Sequence, residues 1–419
     1  METIDKLEWD LRASALDQAD PLAPLRRHFD LPVNTIYMDG NSLGPLPGAV
    51  KERMRQTVDE EWGDHLIRSW NDADWVNLPQ SVGEKIAPLI GAPVGSVIAS
   101  DSTSINLFKV LSAAIDQQPG RQKIISERAN FPTDLYMAQG LAAFLGQGHQ
   151  LVLLDDPDDL DTVLDDDVAV VMLTHVNYRT GRMLDMKTMT AKAQNVGALT
   201  IWDLAHSAGA VPVDLTDAHA DFAIGCGYKF LNGGPGAPAF IYVAPDHQAG
   251  FAQPLTGWFG HAKPFAFETD YRPAWGIERA LCGTPNILSL SALDTAMSLW
   301  GDVSMAHVRA KSLALGDLFI ATVEANAEPG ALTLVTPRDH GERGSQVSFA
   351  ANDGGYAMMQ CLISHGIVGD FRPPDILRFG ITPLYMRFTD VLRAAQRLAD
   401  IVNSREWDQP HFHEQRTVT

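Results

Sequence analysis

The densest chemical signal in the 419-residue chain is Cys226-Gly227-Tyr228-Lys229-Phe230-Leu231-Asn232-Gly233-Gly234-Pro235-Gly236. An apolar run, Phe222–Cys226, delivers a lysine into a loop of glycines, which let backbone approach a ligand closely. A sheltered lysine amine can attack a carbonyl and form a Schiff base. Alone, Lys229 would read as a surface residue beside a turn; its company changes that. Asp203 closes the run Leu199–Asp203 and is followed by Ala205-His206-Ser207-Ala208-Gly209. A carboxylate there can hold a proton on a heteroaromatic nitrogen, or equally cap a helix. Asp101-Ser102-Thr103-Ser104 precedes helical periodicity from Ile105. A helix start rich in hydroxyls suits a phosphate, although simple N-capping is the commoner use of such residues. Asn130-Phe131-Pro132-Thr133-Asp134 offers an aromatic face for stacking and a carboxylate beside it, with core packing as the ordinary role of the Phe. In Gly257-Trp258-Phe259-Gly260-His261 the Trp258 indole N–H could reach a phosphate or anchor the loop.

Two motifs suggest other chemistry. Gly40-Asn41-Ser42-Leu43-Gly44 matches the G-x-S-x-G elbow of serine hydrolases. That elbow needs a helix straight after the serine, and Pro45-Leu46-Pro47 denies it one, so a hydrolase using Ser42 stays a minor alternative. His411 and His413 could touch a metal, but no third ligand stands nearby in sequence, and no metal site is expected. A nucleotide P-loop motif is absent.

These residues need a frame that brings them together. Between about residues 49 and 299 short apolar runs alternate with helical periodicity. Strands are expected at Val97–Ser100, Lys123–Ser126, Leu151–Leu154, Val168–Leu173, Leu199–Asp203, Phe222–Cys226 and Phe240–Val243. Helices are expected at Ile105–Ile115, Leu135–Leu145 and Met186–Val196. Such a pattern predicts an α/β domain with a mostly parallel seven-stranded sheet, whose ligands bind beyond the carboxyl ends of the strands. A long helical stretch, Leu288–Ala325, reads as a link to a smaller α+β domain over residues 300–419. Residues 1–48 read as a segment that packs on this small domain or on a partner.

Composition narrows the function classes. Hydrophobic residues make up 45% and the net charge is −20, which argues against nucleic-acid and membrane-surface roles while leaving room for a locally basic pocket. Three scattered cysteines suggest neither a disulfide framework nor a zinc site. The charged start METIDKLEWDLRASALDQAD carries no signal-peptide pattern, and no apolar run nears bilayer length, so a cytoplasmic protein is expected.

The order of strand-end Asp203, Lys229 in its Gly-rich loop and an upstream Ser/Thr phosphate site resembles fold type I pyridoxal-phosphate enzymes, built on the aspartate aminotransferase plan. Within them the chain resembles the kynureninase family from about Leu22 to the last helix. The likeness is carried by Met38-Asp39-Gly40-Asn41-Ser42-Leu43-Gly44, Phe131–Asp134, Trp202–Gly209, Tyr228–Gly236 and Gly257–His261. The resemblance implies that Lys229 holds pyridoxal 5′-phosphate covalently and moves the Cα proton, and that Asp203 pairs with the ring nitrogen beside Asp134. Phe131 would stack on the ring, in the motif with Pro132 and Thr133, while Thr174 and His206 line the pocket. Thr103, Ser104, Tyr228 and Trp258 would hold the phosphate, with Thr284 of Gly283-Thr284-Pro285-Asn286 reaching it from a second subunit. Arg378 would clamp the substrate carboxylate, in a substrate site shared with Asn41, Ser42 and Trp70. Tyr228 would assist proton transfer. The implied reaction is hydrolysis of L-kynurenine to anthranilate and L-alanine in tryptophan catabolism, by a homodimer. A cysteine desulfurase shares the fold but needs a cysteine on a mobile loop, which neither Cys282 nor Cys361 suits.

Overall fold

In the computed structural model, which describes residues 6–415, the chain forms two compact units. One holds the residues up to Gly48, the segment Arg179–Met183 and the chain from Asp302 on; the other holds Ala49–Tyr178 and Leu184–Gly301. The extreme ends of the N-terminal segment and of the C-terminal domain, residues 1–5 and 416–419, lie outside the described residues. The excursion Arg179–Met183 has no sequence signature. Its partners are distant in the chain: Gly344 donates its N–H to Gly181 O at 2.8 Å, and Met183 donates to Glu342 O at 2.7 Å.

Strand β1 (Ile36–Tyr37) belongs to the first of these units. The other builds a seven-stranded sheet from β2 (Val97–Ser100), β3 (Lys123–Glu127), β4 (Gln150–Leu154), β5 (Val168–Thr174), β6 (Leu199–Asp203), β7 (Phe222–Cys226) and β8 (Ala239–Val243). Their spatial order is β2-β8-β7-β6-β5-β3-β4. The pairs from β7 to β4 are parallel, and β8 alone runs antiparallel to both its neighbours. The expected mostly parallel α/β sheet is therefore present. Strands β5 to β8 are buried along their whole length, which is why they read as unbroken apolar runs. Helices Thr103–Asp116, Pro132–Leu145 and Met186–Asn195 pack against the sheet. Val110, Leu111, Ile124, Val170, Ile201, Phe222 and Ile241 lie at the centre of the core, each such side chain contributing about 1.5–3 kcal/mol by burial. The helix Leu78–Ile86 seats directly on β2: a Cβ on Gly83 would come within 2.2 Å of Val97 O.

The stretch Leu288–Ala325 is not one helix. It divides into Ile287–Met297, a 3₁₀ turn at Ser298–Trp300, and Met305–Asn326, whose first turn is capped by Ser304 accepting from His307 N–H at 3.4 Å. The first part packs on Leu78–Ile86 in one unit and the second on Phe388–Ser404 in the other, so the break falls where the burial partner changes.

The unit containing the C-terminus carries a four-stranded antiparallel sheet of β9 (Leu332–Leu334), β10 (Gln346–Ala351), β12 (Asp370–Arg372) and β13 (Ile376–Gly380), ordered β12-β13-β10-β9. A separate ladder pairs β1 with β11 (Ile367–Val368) in parallel. Helices Lys6–Ala19 and Met305–Asn326 both pack on Phe388–Ser404. Among the described residues no helix is long and apolar enough to cross a membrane.

Candidate active site

At the carboxyl ends of β5, β6 and β7 a cavity of about 610 Å³ opens within the sheet unit. Lys229 reaches its wall because the chain turns sharply after β7. A Cβ on Gly227 would lie 2.4 Å from Pro238 O, and Gly233 N–H returns to Gly227 O at 2.8 Å, closing the loop behind the lysine. Lys229 Nζ lies 2.9 Å from His206 Nε2 and 6.0 Å from the centre of the Phe131 ring. Phe131 is 40% exposed instead of packed in the core, with its ring braced edge-on by Tyr178 at 5.1 Å between centroids.

Asp203 ends β6 and is buried; its Oδ1 accepts the Ala205 N–H at 2.7 Å, which fixes the carboxylate at the strand terminus. Burial pushes its carboxyl upward, opposed by the positive charge of Lys229 and by that N–H. Asp134 is buried beside it, and neither of its oxygens has a hydrogen-bond donor in the protein. Burial and then the charge of Asp203 drive the Asp134 carboxyl well above its ordinary range. Two adjacent carboxyls that cannot both ionise make one of them neutral, and Asp134 is the one without a compensating N–H. Thr174, the last residue of β5, is the register neighbour of Asp203 and donates its hydroxyl to Asn130 Oδ1. Burial, Cys226 and Asp203 push the Tyr228 phenol far upward, so it stays a donor at neutral pH.

The opposite wall is made by two helix starts. Ser102 caps the first by accepting Ile105 N–H, and Pro132 stands at the first turn of the second. Both helices begin earlier than the apolar periodicity alone marks, because the cap and the proline extend them toward the sheet. Thr103, Ser104 and Thr133 thereby line the cavity, with Ser104 Oγ 3.1 Å from Thr133 Oγ1. Asp101 enters this turn with a left-handed φ of 47° and is held by Lys109 Nζ at 2.5 Å. Hydroxyls at two helix starts suit a phosphate, a lysine amine suits an aldehyde, and the donorless Asp134 beside Asp203 suits a protonated ring nitrogen. The residues fit pyridoxal phosphate. Periodicity did not mark Tyr178 and Asn286, which also line the cavity; only folding brings them there.

Asn41, Ser42 and Arg378 meet in the other unit. Arg378 is 1% exposed and sits directly across from Asp370 in the β12–β13 pairing. Its Nη2 donates to Asp370 Oδ2 and, at 2.6 Å, to Ser42 Oγ; Ser42 in turn donates to Asp370 Oδ2 at 3.2 Å. Arg372 shares the same oxygen at 2.8 Å. Asn41 is buried at 3.0 Å from Gln346 Oε1, and a side chain on Gly380 would strike it. Burial, followed by the charge of Asp370, raises the Asp39 carboxyl to about 6. No helix follows Ser42, and its hydroxyl serves the arginine and Asp370, which removes the nucleophile-elbow alternative. Asp370 was not singled out in the sequence, since a single acidic residue in a short strand carries no local signal.

Trp258, Thr284 and Trp70 belong to the sheet unit but do not line this cavity. Trp258 and Thr284 sit on exposed loops tied together by Phe259 N–H donating to Cys282 O at 3.1 Å. A Cβ on Gly257 would lie 2.2 Å from that same carbonyl. Trp70 packs against Phe259, 5.7 Å between ring centres.

Known proteins resemble this chain along nearly its whole length. The family model "Kynureninase C-terminal domain" matches residues 308–398. A kynureninase of Burkholderia pseudomallei (strain 1106a) is 53% identical over 411 residues, covering 97% of this chain and 99% of its own. A kynureninase of Pseudomonas fluorescens is 54% identical over 409 residues, covering 97% and 98%. Among solved structures, the apo cysteine desulfurase of Thermococcus onnurineus NA1 superposes with a TM-score of 0.77 at 20% identity, over 91% of this chain and 98% of its own. A lysine mutant of C-DES with glycine covalently linked to its PLP cofactor matches with a TM-score of 0.77 at 17% identity, over 90% and 99%. At such identities the likeness speaks for the fold.

Proposed function

The chain belongs to the kynureninase family, and we infer that it is a pyridoxal-phosphate-dependent hydrolase cutting the Cβ–Cγ bond of L-kynurenine. The products are anthranilate and L-alanine, with one water consumed. The observation that carries this reading is the meeting of Lys229, Asp203, Asp134 and two hydroxyl-bearing helix starts around one cavity. Bound pyridoxal phosphate supplies an electron sink for the pair left at the substrate Cα. Lys229 is the amine that holds it and then takes the Cα proton, with His206 as the ring beside that amine. Asp203 keeps the ring nitrogen protonated, and neutral Asp134 next to it adds no second charge. Phe131, braced by Tyr178, covers the aromatic ring, while Thr103, Ser104 and Thr133 donate to the phosphate. Proton transfer by Lys229 and by the Tyr228 phenol opens the γ-carbonyl to water, after which the Cβ–Cγ bond breaks and return of protons to Cβ and then to Cα gives alanine. Arg378 takes the substrate carboxylate, with Ser42 and Asn41 fixing its approach.

The desulfurase alternative is not favoured. Cys226 and Cys361 are buried, and Cys282 lies in the loop tied to Phe259, so none is a nucleophile on a free loop. Three free cysteines suit a reducing, cytoplasmic setting.

The active form in this reading is a homodimer in which Trp258 and Thr284 complete the neighbour's phosphate site. Trp258 forms an exposed aromatic cluster with Phe265 and Phe267, the latter 77% exposed. Exposed aromatic clusters of this kind mark surfaces that a partner covers. The decisive experiment is anthranilate release from L-kynurenine by the purified protein, with borohydride fixing the cofactor to the peptide containing Lys229. A protein that stays colourless with added pyridoxal phosphate, or that binds it elsewhere, refutes the assignment. For the shared site, a Lys229→Ala chain mixed with a chain altered at Trp258 and Thr284 should regain activity on subunit exchange. Demonstrated exchange without recovery refutes the two-chain site.

A further inference from the structure

A second cavity, of about 850 Å³, lies entirely within the unit that carries the C-terminus and shares no residue with the sites above. One wall is the 3₁₀ turn Ala23–His28 and the segment that follows it to Ile36; the other is the outer face of helix Phe388–Ser404. Its wall carries Arg26, Arg27, Arg387, Arg393 and Arg397 against Asp390 and Asp400. A chain with 52 acidic and 32 basic residues gives no reason to expect arginines to outnumber carboxylates at any one place.

Much of the charge there is also uncommitted. Asp390 is already satisfied by Arg26 at 3.1 Å and by both Nε and Nη2 of Arg387, at 3.0 and 2.8 Å. His365 is taken by Glu406 at 2.8 Å. Arg27, Arg393 and Arg397 make no ion pair or side-chain hydrogen bond among the described residues. Arg393 and Arg397 stand one turn apart and so share a helix face. The opposite face, with Val391, Leu392, Ala395, Leu398 and Val402, is buried, which holds the backbone beneath them rigid. Beside these forks Leu31, Pro32 and Val33 give the cavity an apolar wall, and Val33 is 88% exposed.

We propose that this cavity binds a small molecule of the oligophosphate class, with at least two linked phosphates and room for an uncharged group. Planar guanidinium forks match phosphate oxygens in pairs, and three of them without protein partners exceed what a single monoanion can satisfy. The volume is that of a ligand pocket, and the Leu31–Val33 wall gives a non-phosphate portion an apolar surface. The acidic field of the whole chain repels polyanions at a distance, so affinity rests on contact and falls steeply with salt.

The test uses the holoenzyme, whose catalytic phosphate site is already filled, titrated calorimetrically with ATP, tripolyphosphate and orthophosphate at two salt concentrations. Saturable binding of tripolyphosphate or ATP, one per chain, with orthophosphate weaker by about tenfold or more, is expected. Tighter binding of ATP than of tripolyphosphate assigns a role to the apolar wall, and equal binding assigns the affinity to phosphate alone. The double variants Arg393→Glu/Arg397→Glu and Arg393→Gln/Arg397→Gln should each weaken binding by about tenfold or more while kynurenine turnover stays unchanged. The unchanged turnover shows that the variants are folded. No saturable binding of either oligophosphate, or affinity untouched in both double variants, overturns the proposal.

Discussion

The two buried carboxyls give the sharpest test of the catalytic reading, because burial raises both and only Asp203 has a backbone N–H to hold its charge. Asp203 has a backbone N–H at 2.7 Å and the charge of Lys229 to favour its ionised form. Asp134 has no donor, and the Asp203 charge adds to its burial. Replacing Asp203 by Asn preserves volume and still accepts from Ala205, but removes the negative charge at the end of β6. A charge-assisted hydrogen bond contributes roughly 1.5–3 kcal/mol, so cofactor affinity should fall by about tenfold to a hundredfold. Turnover should fall further, since the same charge also stabilises the electron sink in the transition state. Replacing Asp134 by Asn imitates its neutral form, and turnover should stay within several-fold of the parent. Cofactor affinity is read by absorbance titration of apoprotein and turnover by anthranilate fluorescence at saturating cofactor. Equal damage in the two variants, or a milder effect in Asp203→Asn than in Asp134→Asn, refutes the assignment of charge.

Other outcomes follow from the second cluster. Arg378→Lys should raise KM for kynurenine with cofactor absorbance unchanged, because an ammonium lacks the planar fork; a normal KM would remove Arg378 from the substrate site. Asp370→Asn should destabilise the fold by roughly 1.5–3 kcal/mol in urea denaturation, since the carboxylate holds the buried Arg378, Arg372 and Ser42 together. An unshifted midpoint would show that the arginines rest on other partners. The Asp39 carboxyl, raised to about 6 from an ordinary 3.8, binds its proton more tightly folded than unfolded. Its contribution to stability is therefore full below about pH 4 and lost as pH rises through 6, on the order of 2–3 kcal/mol. In Asp39→Asn that loss should vanish, and parallel stability curves for parent and variant between pH 4 and 7 would contradict it.

Several features were legible in the sequence because they are local. Seven apolar runs of strand length announced the sheet, and β6 and β7 were marked to the residue by Leu199–Asp203 and Phe222–Cys226. Lys229 stood out because glycines surround it, and Asp203 because it closes an apolar run. Periodicity placed the helices, while the capping Ser102 and the early Pro132 moved their starts inward and set Thr103, Ser104 and Thr133 on the cavity wall. What tertiary structure alone decided depends on partners distant in the chain. The long stretch after Leu288 breaks near Gly301 because its two parts bury against different helices. Antiparallel β8 has the same apolar texture as its parallel neighbours, and direction leaves no mark on a strand buried on both faces. Asp370 became the anchor of Arg378 only through strand pairing. Asp134 and Asp203 look alike as letters; burial raises both carboxyls, and the Ala205 N–H that sets Asp203 apart is in place only when the core closes around them.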